Sequence, residues 1–215
     1  MQTLKITKAD LDENNYYKED GVGHVDPDIE ANIEIDENLG WVRFRKGLWV
    51  TGSIVAKAGS GIKAGSGIEA GEGIEAGWGI EAGWGIKAGE GIKAGEGIKA
   101  GEGIKAGEGI KAGWGIKAGE GIEAGEGIEA GWGIVSLYSW IRAHTSISID
   151  ARCTIAAGIF SFSGAKDIEA QEINGNVIYG NKKLLPKEEN KEAETLSGKT
   201  VKVVVDGKEY DAVIK

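Results

Sequence analysis

The chain has 215 residues and a formal net charge of −9, which argues against a protein that holds nucleic acid through phosphate contacts. It contains 37 glycines and only 2 prolines, a strongly biased composition. Its one cysteine excludes an intramolecular disulfide and fits a reducing compartment. No apolar run approaches the ~20 residues of a membrane helix. A cytoplasmic protein with no membrane partner is therefore expected.

Residues 1–58 read as an N-terminal segment and cap. Thr3 to Thr7 alternates like a strand. Asp10, Asp12 and Asn14 match the opening of a calcium loop. Asn15 then stands where the sharp-turn glycine belongs and Gly21 where the bidentate Glu belongs, so no calcium is expected. From Asp28 a worn repeat begins with Ile29-Glu30-Ala31, and Ile33 and Ile35 alternate with Glu34 and Asp36. Trp41-Val42-Arg43-Phe44-Arg45 and Leu48-Trp49-Val50 read as strands around Lys46-Gly47.

Residues 59–134 repeat Ala-Gly-x-Gly-Ile-x, with Ile at every sixth position from Ile62 to Ile134. Side chains alternate along a strand, so Ile and Ala of Ile-x-Ala face one way and the intervening Lys or Glu the other. Gly-x-Gly can turn the chain, because glycine tolerates positive φ and close backbone approach. A helix is excluded, since each glycine costs about 0.8–1.0 kcal/mol there. Collagen needs glycine at every third position. A flexible linker has no reason to keep Ile in phase. A short strand and a corner, repeated, predict an all-β parallel solenoid whose coils must stack to bury a continuous Ile/Ala core.

Three hexads per coil predict a triangular solenoid of eighteen residues per turn, capped at both ends. At that spacing the residues between the glycines fall into three columns. Trp78, Glu96, Trp114 and Trp132 form one. Ser66, Trp84, Glu102, Glu120 and Tyr138 form the second, and Glu72, Glu90, Glu108 and Glu126 the third. The residue between Ile and Ala is Glu at 69, 75 and 81, Lys from Lys87 to Lys117, then Glu at 123 and 129. That pattern suits a solvated face with mutual neutralisation.

Residues 135–180 read as irregular coils, with Ile149-Asp150-Ala151 and Ile155-Ala156-Ala157-Gly158 as worn repeats and Ile168, Ile173 and Ile178 at spacing five. Ile147 and Ile159 also read as strand-like. Residues 181–215 read as a charged linker, or a short helix, followed by a β-hairpin about Asp206-Gly207. Cys153 is expected to be a small buried residue.

Little here suggests catalysis. His24 and His144 lie in no metal-ligand or triad spacing, although Glu126 and His144 fall one coil apart. Identical Glu in identical repeats gives no local differentiation of pKa. Gly-x-Gly lacks the Lys-Ser/Thr of a phosphate loop. No enzyme activity, cofactor or metal is expected.

Gly73-Ile74-Glu75-Ala76 is similar to the repeat of the bactofilins, polymer-forming bacterial scaffold proteins on a β-helix. The hexads also resemble those of the left-handed hexapeptide acyltransferases. There the small residue precedes the aliphatic one by two places, whereas here Ala follows Ile by two. The near-identical array further looks like uncharacterised proteins of bacteria and their phages. These resemblances imply a parallel β-helix, and respectively a self-assembling scaffold, a transferase, or no assigned activity.

The expected function is a non-catalytic binding protein. Trp78, Trp84, Trp114, Trp132 and Tyr138 would anchor a partner protein. Glu72, Glu90, Glu108 and Glu126 would form an acidic strip for a basic groove, as a nucleic-acid mimic or a phage-encoded inhibitor does. Direct nucleic-acid binding is not expected. Homo-oligomers would form through the C-terminal hairpin or the solenoid ends.

Overall fold

The computed structural model describes residues 2–18, 31–143, 148–151, 154–161 and 164–186, and the backbone of 200–205 and 208–213. The chain winds as a parallel β-solenoid, with one sheet for each of the three hexads in a coil. A nine-stranded sheet runs from Gln2–Ile6 to Glu172–Asn174. An eight-stranded sheet runs from Leu48–Val50 to Asn181–Leu184, and another from Gly40–Phe44 to Val177–Tyr179. The only helix among the described residues is the 3-10 turn Lys8–Asp10. None is long and apolar enough to cross a membrane.

The register follows the hexad. Ile86 pairs with Ile68 below and Ile104 above, eighteen residues away on either side. Ile and Ala of every regular repeat are buried. Each buried Ile contributes roughly 1.5–3 kcal/mol, and the stacked coils join these contributions into one core.

The glycines turn out to serve the stack rather than the turn. No glycine from Gly61 to Gly133 has positive φ. A Cβ on Gly89 would instead lie 1.9 Å from the carbonyl oxygen of Gly71, one coil below. Side chains are excluded there by the coil spacing of about 4.8 Å, so close approach, not left-handed backbone, fixes this residue.

Among the described residues, positive φ occurs at the irregular ends, at Asn15, Asn38, Gly40 and Gly59 and again from Gly158 onward. Asp12 closes its turn by accepting hydrogen bonds from the amides of Asn14 (2.9 Å) and Tyr16 (2.8 Å). The Asp-rich stretch that begins like a calcium loop thus spends one oxygen of Asp12 on its own backbone.

Beyond Ile134 the spacing opens. Ile122 pairs with Ile141 and Ile128 with Ile149, nineteen and twenty-one residues on. Ser136 replaces Ala at the first break. Its buried hydroxyl lies between the carbonyls of Glu120 and Ser139 and shares its one proton with them, which ties the longer corner down.

The spacing-five reading of Ile168, Ile173 and Ile178 holds for the first two. Ile178 is 59% exposed, and Val177 packs against the core instead. Ile155 pairs with Val177, and the register then slips so that Ala156 meets Tyr179 and Ile178 is passed over. Ile159 lies in a turn rather than a strand.

Asn181–Leu184 is a strand paired with Asp167–Ala170, so coils continue past Gly180. Its four residues are all exposed, so no apolar alternation announced it. Thr200–Val205 and Lys208–Val213 pair antiparallel as the hairpin signal predicts. Asp206-Gly207, Ile29-Glu30, Ile147, His24, His144 and Cys153 lie outside the described residues.

Candidate partner-binding surface

The residue between the two glycines sits at a corner where one sheet gives way to the next. Corners stack by backbone hydrogen bonds. The amide of Glu96 donates to Trp78, that of Trp114 to Glu96 and that of Trp132 to Trp114, at 3.0, 3.0 and 2.7 Å. The amides of Glu90, Glu108 and Glu126 donate to Glu72, Glu90 and Glu108 at 3.2, 3.3 and 3.2 Å. The third corner links Ser66, Trp84, Glu102 and Glu120 in the same way. Tyr138 continues that corner one residue out of step, since its amide donates to Gly119 and not to Glu120. The residue added before Ile141 causes the shift.

These columns place the sequence-predicted residues on two separate surfaces. Trp78 and Trp84 flank the strand Ile80–Ala82, and Trp132 and Tyr138 flank the strand Gly133–Ser136. Both strands belong to the sheet that runs from Gly40–Phe44 to Val177–Tyr179. Trp114 stands on the same border, beside Ile116–Ala118. All five aromatic residues therefore frame one sheet. Glu72, Glu90, Glu108 and Glu126 occupy the one corner that this sheet does not touch. The Trp and Glu sets are thus held apart.

Exposure sorts the aromatic residues. Trp132 is 69% exposed, Trp114 63%, Trp84 57% and Tyr138 51%. Trp78 is 37% exposed, its ring reaching past Ser60 toward Gly40, two coils below. Tyr138 packs against exposed Phe160, ring centroids 6.1 Å apart, and Trp140 carries the Arg142 guanidinium over its ring. Phe160 enlarges the aromatic border, and Trp140 turns toward Gly121 of the neighbouring sheet. Sequence reading missed them because neither falls on the corner period.

Along the middle of the framed sheet runs the row Lys63, Glu81, Lys99, Lys117 and Val135. Glu81 sits between Lys63 at 2.9 Å and Lys99 at 3.1 Å. Partial burial works against its charge, yet the two ammonium groups bring its carboxyl below the ordinary value. Exposed ion pairs of this kind contribute ~0–1 kcal/mol each.

On the Glu corner, Glu72 accepts a hydrogen bond from the Ser53 hydroxyl at 2.5 Å. Glu90, Glu108 and Glu126 make no ion pair among the described residues and leave a regular acidic edge. Their carboxylates border a groove of about 550 Å³ that the ion pairs Lys93–Glu75 and Lys111–Glu129 also line. No group of three or more His, Cys, Asp or Glu among the described residues is arranged to hold a metal ion.

No protein-family model matches this chain, and no curated protein or solved structure matches it.

Proposed function

We propose that the chain is a non-catalytic binding protein that captures a partner protein on the aromatic-framed sheet. One observation carries this reading. Four large aromatic side chains, each more than half exposed, border a single sheet of a stacked solenoid. Exposed aromatic residues carry most of the binding energy at many interfaces, and apolar surface left facing water marks interaction sites. Corner stacking fixes their positions before binding, so little ordering cost opposes association. The separate Glu corner gives a second contact suited to a basic groove, such as one that normally receives a nucleic-acid backbone. An inhibitor of a nucleic-acid-handling protein is the concrete form this takes.

The test is capture from extract of the native host. Trp114→Ala with Trp132→Ala should lose the wild-type partner at unchanged melting temperature. Glu90→Gln, Glu108→Gln and Glu126→Gln together should weaken capture and remove its salt dependence. Capture that survives the Trp pair sinks the aromatic reading.

A second reading, the bactofilin-like scaffold, draws support from the last described coil, where Ile178 and Leu184 are each 59% exposed. Apolar residues at a solenoid end suit end-to-end assembly. Light scattering over a concentration series decides it: growth in mass supports the scaffold, and a constant mass rejects it.

A further inference from the structure

The two glycines of each hexad are not equivalent. A Cβ on the first, as at Gly89, Gly101, Gly107 and Gly119, would lie 1.9 Å from a backbone oxygen. A Cβ on the second, as at Gly97, Gly103 and Gly115, would lie 3.2–3.3 Å from the carbonyl of the coil above. Stacking therefore forbids a side chain at the first and nearly admits one at the second. What the second glycine secures is open space outside the sheet. Repeated coil upon coil, it leaves a furrow between the corner row and the mid-strand row.

The chain fills parts of these furrows with its own indoles. Atoms of the Trp41 ring lie 3.1 Å and 2.7 Å from where Cβ atoms would stand on Gly61 and Gly79. Trp140 lies likewise 3.1 Å from that point on Gly121, in the neighbouring sheet. The glycine floor is thus shaped to receive an aromatic ring. Beyond Trp41, the furrow of the framed sheet stays open over Gly97, Gly115 and Gly133, with a volume of about 390 Å³, and Glu81, Lys99, Lys117 and Val135 of the mid-strand row line it.

One cation in this furrow is left over. In the two central coils Lys87 pairs with Glu69, Lys93 with Glu75, Lys99 with Glu81, Lys105 with Glu123 and Lys111 with Glu129. The mid-strand neighbours of Lys117 are Lys99 and Val135. Val135 stands where the other two sheets have Glu123 and Glu129. Lys117 has no ion pair among the described residues. Its nearest like-charged neighbour is one coil away, which favours an anion brought from outside.

We infer that the furrow from Gly97 to Gly133 receives an aromatic side chain with an adjacent carboxylate, carried on an extended segment of the partner protein. The ring lies on Gly115 and the carboxylate meets Lys117. This rests on the partner-binding reading above and names the chemistry of the partner's anchor.

The test uses the full chain, labelled with 15N, and two small probes. N-acetyl-tryptophan carries the carboxylate, and its amide does not. N-acetyl-tryptophan should shift the amides of Gly97, Gly115 and Gly133 saturably, and the uncharged amide should bind about 2- to 5-fold more weakly. Lys117→Gln should erase that difference, and so should Val135→Glu, which closes the charge row. Gly115→Ala should block both probes, while Gly109→Ala in another sheet should not. Should Gly115→Ala lower the melting temperature, the Lys117→Gln result carries the test alone.

Equal shifts over all three furrows, or none that saturate, overturn the inference. Shifts of the same glycines on raising the protein concentration alone overturn the partner assignment, since a second copy then fills the furrow. If the probes fail while Trp114→Ala with Trp132→Ala still abolishes capture, the furrow falls and the docking surface stands.

Discussion

The coils between Ile62 and Ile134 and the coils after Ile134 solve the same stacking problem by different means. In the first region every coil repeats the last, and Ile/Ala burial with backbone pairing suffices. Its ion pairs lie on the surface and count for little. In the second region the hexad is worn, and particular polar contacts take over. Ser136 ties one corner. Glu169, 6% exposed, receives Arg142 and Lys183 at 2.6 Å each. A uniform repeat thus buys stability from repetition, while an irregular one depends on individual residues whose loss is local.

That contrast can be broken most severely from inside the array. Ile110→Ala removes a buried side chain shared by the coils above and below, and should cost about 2–5 kcal/mol in denaturant unfolding. Gly89→Ala introduces a Cβ against the Gly71 carbonyl and should cost about 1–3 kcal/mol or more. Gly91→Ala, at the second glycine of the same hexad, should cost far less, because its Cβ meets only a carbonyl at 3.3 Å.

Glu169→Gln tests the terminal coils instead. It should cost about 1–3 kcal/mol, read as faster amide exchange over 167–184 with the array unchanged. The hydrogen bond from Lys183, and then that from Arg142, hold the Glu169 carboxyl below its ordinary value of 4.5, against burial. A depressed folded pKa stabilises above the unfolded value and loses that contribution as pH falls. Acidification below about 4.5 should therefore open the terminal coils before the array.

The smallest effect belongs to the surface. Glu81→Gln removes a carboxylate held by Lys63 and Lys99 and should change stability by less than about 1 kcal/mol.

How much could be read in advance follows from the same contrast. Period six with Ile in phase specifies strand, corner, inward face and the three columns, because only side-chain alternation and stacking are involved. The slip at Val177, the exposed strand Asn181–Leu184 and the one-residue offset of Tyr138 were illegible. Each depends on where an added residue is absorbed, which no local pattern records.

The candidate surface divides likewise. The repeat alone specifies which residues share a corner, and it already holds the anomaly of Val135 between Ile134 and Ser136. The folded coil sets Trp78, Trp84, Trp114, Trp132 and Tyr138 around one sheet while the Glu column takes the corner outside it. It alone showed that the glycines divide into a packing set and a furrow set. The physical reason is that such distinctions are measured between coils, across about 4.8 Å of space, and not along the chain.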